Sequence, residues 1–201
     1  MISGTGLRLR GARVALLLLL VATHGVTADK APWDFARLMA QLAQVHTSRA
    51  QYSEVRRIAV LQNPLQLSGT LFYARPSRIE KHQIQPIKEV MRVDGDRLSV
   101  EREGKTRSLS LQSSPLVAAL VESLRATLAG DGAEIERLYA VRVEGERQRW
   151  TLRLKPRDAE VGGVVENISI AGSGSHVNRI EIVEPGGDSS VMTLHDESQT
   201  P

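Results

Sequence analysis

Six short segments with strand character follow one another between Tyr52 and Leu111 with no helix among them, and this run constrains the fold more than any other feature of the chain. The periodicity predicts strands over Tyr52–Leu61, Leu65–Tyr73, Arg78–Ile84, Ile87–Val93, Arg97–Arg102 and Lys105–Leu111. Their joints are turn chemistry: Asn63-Pro64, Arg75-Pro76, Gln85-Pro86, Asp94-Gly95 and Glu103-Gly104. Proline presets φ at such places and glycine admits positive φ. Asp94-Gly95, between Val93 and Leu98, is the sharpest hairpin signal. A second run is predicted over Tyr139–Glu144, Arg149–Leu154, Val164–Ala171, His176–Val183 and Ser190–Leu194. Nowhere do strands and helices alternate, so nothing supports a parallel sheet. So many short strands in succession exceed what a flat open sheet usually holds. The expected class is α+β: one large antiparallel sheet, strongly curved, with helices packed on its concave side.

The elements carry clear apolar faces. In Leu65–Ala74, Leu65, Leu67, Leu71 and Tyr73 share one side with Gly69 in the row, and Phe72 interrupts the polar side. Trp150, Leu152 and Leu154 alternate strictly. A helix is predicted over Trp33–His46, where Phe35, Leu38, Met39, Leu42 and Val45 recur at helical steps. A second is predicted over Pro115–Leu128, capped by Ser113 or Ser114 and stopped by Gly130. Leu116, Ala119, Leu120, Ser123 and Leu124 form one face of it, widened by Val117, Val121 and Leu128. A short third helix is predicted over Ala133–Leu138.

The N-terminus reads as a secretory signal. Arg8, Arg10 and Arg13 precede the apolar run Val14–Ala22, and Val26-Thr27-Ala28 offers small residues for cleavage after Ala28. Nine apolar residues are too few for a bilayer span, which needs about 20 in a helix. The expected product is a soluble periplasmic domain of residues 29–201. Cleavage also removes the formal charge excess: three of the 26 basic residues lie in the signal, leaving 23 against 23 acidic ones. Bulk charge therefore gives no support for a nucleic-acid partner. With no cysteine in the chain, disulfides, thiol chemistry and cysteine–zinc sites are excluded.

No constellation points to catalysis, a metal or a cofactor. His46, His82, His176 and His195 have no ligand-type neighbour at helical spacing. Gly172-Ser173-Gly174-Ser175-His176 joins two predicted strands, whereas nucleophile elbows and phosphate loops require a helix to follow. Asp94-Gly95-Asp96 and Gly187-Asp188 place carboxylates where turns use them. The runs Glu101–Lys105 and Glu144–Arg147 are charge-mixed hairpin tips. A binding protein rather than an enzyme is expected, with neither cofactor nor metal.

The order of these pieces resembles the outer-membrane lipoprotein carrier family, LolA. The resemblance rests on the amphipathic helix with Phe35, Leu38 and Leu42, on Pro64–Tyr73 followed by Arg75-Pro76, and on the Asp94-Gly95 hairpin. The helix from Pro115 and the stretch Trp150-Thr151-Leu152-Arg153-Leu154-Lys155-Pro156-Arg157-Asp158, similar to that family's W-x-L-x-L-x-P-x-D, complete it. It implies an unclosed half β-barrel covered by a helical lid, and a hydrophobic cavity that carries acyl chains of lipoproteins or another envelope lipid toward the outer membrane. It implies an inner-membrane release complex and an outer-membrane acceptor as partners of a monomer. The residues expected to line the cavity are Leu65, Leu67, Leu71, Tyr73, Met91, Val93, Leu116, Leu120 and Leu124, and Arg75 maps to the residue that latches the lid. A lipid- or protein-sensing domain on the same half-barrel is the rival expectation. Such regulators usually carry a further C-terminal domain, whereas this chain ends soon after Leu194 in a polar tail. With only seven aromatic residues, the interior must be mainly aliphatic.

Overall fold

The first and last strands lie side by side in the middle of one sheet. The computed structural model describes residues 33–113 and 115–201, without the side chains of residues 115, 116, 119, 120 and 196. The expected signal and its cut after Ala28 fall outside the described residues. Strand β1 (Thr47–Arg57) pairs with β2 (Leu65–Ala74) on one side and with the last strand, β11 (Ser189–Thr200), on the other. From β2 the chain meanders outward through β3 (Arg78–Gln85), β4 (Glu89–Asp94), β5 (Arg97–Arg102) and β6 (Lys105–Ser110). It returns from the opposite edge through β7 (Tyr139–Glu146), β8 (Arg149–Pro156), β9 (Asn167–Ser173) and β10 (His176–Val183). All neighbours are antiparallel, and among the described residues β6 and β7 are the unpaired edges of a sheet of 11 strands. The connection between those edges is helical: a single 3-10 turn, Leu111–Ser113, then α2 (Pro115–Ala129) and α3 (Gly132–Leu138). The result is the α+β class expected from the sequence, a curved, unclosed half-barrel with helices.

Element boundaries move where tertiary pairing overrides local pattern. Helix α1 is Phe35–Leu42, shorter than its apolar period, because the His46 amide donates to the Thr200 carbonyl at 2.8 Å and β1 begins at Thr47. Asp34 caps α1, its carboxylate accepting from the Arg37 amide at 2.9 Å. Strand β11 extends six residues past Leu194, so the polar tail expected there is a sheet strand between β1 and β10. A four-residue helix absent from the expectations, α4 (Ala159–Gly162), is capped by Asp158, which accepts from the Glu160 and Val161 amides. This gives the terminal Asp of the Trp150–Asp158 stretch its structural reason. Phe72, the interruption in β2, has the guanidinium groups of Arg49 and Arg78 over its ring at 5.1 and 5.7 Å.

Two apolar clusters hold the half-barrel. The larger packs Leu38, Met39 and Leu42 of α1 and Ile135 of α3 against Tyr139, Trp150, Leu152, Leu154 and Ile170. The smaller joins Tyr73, Ile79, Val93 and Leu111 to Leu98 and the α2 residues Val117, Val121 and Leu128. Helix α2 ends in a paired-hydrogen-bond cap: the Gly130 amide donates to the Thr127 carbonyl and the Asp131 amide to that of Ala126. Gly130 has φ +68°, and a Cβ there would sit 2.3 Å from the Met39 carbonyl oxygen, so the α2–α3 turn is seated on the end of α1 only because this residue is glycine. Asp131 then caps α3 by accepting from the Glu134 amide at 3.1 Å.

Candidate functional site

Between the two clusters the interior is not filled. A cavity of about 500 Å³ takes its wall from both clusters and from α2, within the range of about 300–1,000 Å³ that accommodates small ligands. Its lid side is a helical stripe, Val117, Val121, Leu124 and Leu128, at steps of four, three and four. Its sheet side is the concave face: Ala50, Leu71, Tyr73, Ile79, Met91 and Val93 from one meander, and Ile170, Val177, Ile180, Met192 and Leu194 from the other. Met91 and Leu124 are 37% and 38% exposed despite lining it, so their apolar surface faces open space rather than packed neighbours. A second hollow, of about 520 Å³, is made by Glu144, Gly145, Glu146, Arg149 and Thr151 of the β7–β8 hairpin alone. It has a charged lining from one hairpin and no convergence of elements.

Of the residues expected at the cavity, Leu71, Tyr73, Met91, Val93 and Leu124 line it. Leu67 is buried and Leu65 is exposed, and neither is among the lining residues. The side chains of Leu116 and Leu120 lie outside the described residues. The stripe that meets the cavity runs through Val117 and Val121, which the sequence placed at the margin of the helix face. Helix α2 is apolar nearly all round, so its period could not choose a side. Ser123, Ala126 and Thr127 are buried instead, and the Tyr139 hydroxyl donates to the Ser123 hydroxyl at 2.7 Å.

Arg75 closes the β2 end of the lid. Its amide donates to the His46 carbonyl at 2.9 Å, which fixes its backbone beside the start of β1, and its guanidinium donates to the carbonyl of Ala129. That carbonyl ends α2, where the cap leaves it without an intrahelical partner and where a cation meets the negative end of the helix dipole. A second tie runs the other way: Arg125 of α2 donates to the Gly95 carbonyl at the tip of the β4–β5 hairpin.

The cavity also holds charge, which the sequence reading missed. Glu54 points into the concave face and is 1% exposed. One carboxylate oxygen accepts from Lys81 Nζ at 2.6 Å; the other accepts from Arg56 Nη2 at 2.8 Å and from the Ser190 hydroxyl at 2.7 Å. Counting the β1 period onward from Ala50 and Tyr52 would have placed Glu54 on the buried face. Burial raises its pKa, but the hydrogen bonds and charges of Lys81, Ser190 and Arg56 outweigh it and hold the carboxyl below its ordinary value. Tyr52, 2% exposed, is pushed up to about 12 by burial and then by the Glu54 charge, and Lys81 Nζ sits 5.0 Å from its ring centre. Among the described residues no group of three histidines or carboxylates could hold a metal ion.

This electrostatic arrangement gives a pH prediction. The folded state holds Glu54 as carboxylate more strongly than the unfolded chain, whose pKa is about 4.3. Its contribution is thus complete above that value and lost as pH falls through the depressed folded pKa. Urea midpoints measured from pH 7 down through the acid range should fall less steeply in Glu54→Gln than in the wild type. Glu80 and Glu134, also depressed, leave a residual slope in both; equal slopes would remove Glu54 from the account.

The family description "Outer membrane lipoprotein carrier protein LolA-like" matches residues 27–198, nearly the whole chain. The chain belongs to this LolA-like family. That is a family of carrier and binding proteins rather than enzymes, and it places the chain in the cell envelope. No curated protein matches the LolA-like sequence significantly. Among solved structures it is similar to the LolA superfamily protein NE2245 from Nitrosomonas europaea, with 11% identity over 82% of this chain and 92% of that one, at a TM-score of 0.42. It is also similar to a DUF1329 family protein from Desulfovibrio piger, with 12% identity over 83% and 90% and a TM-score of 0.47. A third is a putative outer membrane lipoprotein-sorting protein domain from Vibrio parahaemolyticus, with 10% identity over 83% and 91% and a TM-score of 0.47.

Proposed function

We propose that this protein is a periplasmic carrier that takes acyl chains of lipidated cargo into the cavity between α2 and the concave face of the sheet and shuttles them toward the outer membrane. The observation that carries the proposal is the cavity of about 500 Å³, lined mainly by aliphatic side chains and roofed by one helix. Each acyl CH₂ taken from water into such a site gains about 0.8 kcal/mol. A chain that cannot cross an aqueous compartment alone is held there, and the lid's few polar ties keep its release reversible. An acyl lipid other than a lipoprotein would fit the same chemistry. Native mass spectrometry with lipid extraction, on protein purified from a Gram-negative periplasm, tests the reading. A discrete bound mass of a lipoprotein or acyl lipid is expected. A clean apo mass that takes up no acyl probe would sink it and bring forward the sensing domain.

In this reading Arg75 is the lid latch. Arg75→Leu removes one hydrogen bond from a charged donor at an exposed site, on the order of 1 kcal/mol, or about a fivefold shift of the lid equilibrium toward open. Release of a fluorescent acyl probe, followed by stopped flow, should quicken by that factor while the thermal midpoint stays within a few degrees. An unchanged release rate would reduce Arg75 to a turn residue.

A further inference from the structure

We propose that the Glu54 end of the cavity is an anchor for the anionic headgroup of the carried amphiphile, with Lys81 and Arg56 as the groups that grip it. The inference rests on the carrier reading and specifies its ligand: an acyl chain bearing a phosphate or a similar oxyanion.

The cavity is polar at two places along β1. Ser48 lies near Glu197, Gln199 and Ser175, and six residues on, roughly 20 Å at the strand's rise per residue, Glu54 lies with Lys81, Arg56 and Ser190; all of them line the cavity. Between them the wall is apolar. The first group is internally satisfied: the Ser48 hydroxyl donates to Glu197 and the Ser175 hydroxyl to Gln199, whose amide donates back to the Ser175 carbonyl and to Glu197, and the second Glu197 oxygen lies 3.1 Å from His176 Nδ1. The second is unbalanced. Both Glu54 oxygens are engaged, one by Lys81 and the other by Arg56 and Ser190. A Lys ammonium has three N–H donors and a guanidinium five. Of these, one from Lys81 and two from Arg56 are used on Glu54. Three of the four bonds fall on one Glu54 oxygen, and the partly exposed ammonium and guanidinium keep further donors to offer at the cavity wall. Such a set calls for an acceptor rich in oxygen. The hydroxyl of Tyr52, whose ring lies under Lys81, has no hydrogen-bond partner among the described residues. Glu184 also lines this end, so the four charges sum to zero and the site suits a singly charged or zwitterionic head better than a multiply charged one.

A carboxylate buried in an apolar wall and paired with partly exposed cations is weak as a device for stability, because its desolvation offsets the attraction. As a headgroup site it has a use, since it orients the ligand with its tail running toward α2. The β1–β2 turn exposes Val60 and Leu61 at this end, and the end of β3 with the turn after it exposes Ile84 and Ile87, surroundings suited to an amphiphile's interfacial region.

The test uses the mature chain and three probes: a monoacylglycerol, its methyl phosphodiester with the same acyl chain and a single negative charge, and inorganic phosphate, each titrated calorimetrically below any micelle concentration. The phosphodiester is expected to bind about ten times more tightly than the monoacylglycerol, and millimolar inorganic phosphate to leave both unaffected, so that the headgroup of a lipid and not free phosphate is the ligand. Lys81→Met should bring the ratio close to one, and Glu54→Gln, which frees both cations, should raise it. If Lys81→Met does not fold, the triple variant E54Q/R56Q/K81M, which removes all three charges together, should bring the ratio close to one. A wild-type ratio near one, or a ratio unmoved by either substitution, overturns the anchor while leaving the carrier reading standing. Uptake of neither lipid overturns both.

Discussion

Trp150→Ala should be the most damaging single substitution in the fold, lowering stability by about 3–5 kcal/mol out of the roughly 5–15 kcal/mol available to a domain of this kind. Trp150 is fully buried, and its indole N–H donates to the Gly174 carbonyl at 2.8 Å. Its ring lies against Gly172, where a Cβ would come within 2.4 Å of Cζ2, so the neighbouring strand has given up a side chain to admit it. Alanine leaves a void in the larger cluster and strips the Gly174 carbonyl of its partner. Trp150→Phe loses the N–H but keeps much of the ring volume, and should cost less than half as much. Urea denaturation followed by circular dichroism measures both. A loss below about 1 kcal/mol for Trp150→Ala would mean that the β8–β9 core repacks freely.

Trp150, Leu152 and Leu154 were legible in the sequence because their neighbours on both sides obey the same two-residue period. The hairpin at Asp94-Gly95 was legible because the turn itself demands glycine, which has φ +51°. Other features were set by partners distant in sequence. The segment His195–Thr200 has no apolar period; it is a strand because β1 offers it a ladder, with polar contacts such as Ser48 to Glu197 across it. The same ladder drew Val45 and His46 out of the helix that their pattern suggested. Glu54 and Lys81 stand 27 residues apart on strands that are not neighbours, and each reads alone as an ordinary surface charge. Whether the apolar interior was packed or hollow was beyond periodicity altogether, since a core residue and a cavity-lining residue alternate in the same way.

Met91→Trp separates those two cases. Met91 sits on β4 within the concave face, paired with Lys81 on one side and Val100 on the other, and lines the cavity with 37% of its surface open. In a filled core the added indole would force neighbours off their rotamers and cost about 1–3 kcal/mol. Here it enters open space already bounded by apolar groups, so the fold should stay within about 1 kcal/mol of wild type, the strain of overpacking being absent. Ligand is excluded by the same atoms: the indole takes up volume that the acyl chain needs. Affinity for a fluorescent acyl probe is therefore expected to drop by at least about tenfold, one methylene of lost burial being worth about 0.8 kcal/mol and several being displaced. Destabilisation with uptake intact would mean that the space beneath α2 closes in solution and that ligand, if any, binds elsewhere. Unchanged stability with lost uptake would identify the hollow between the two clusters as the cargo site.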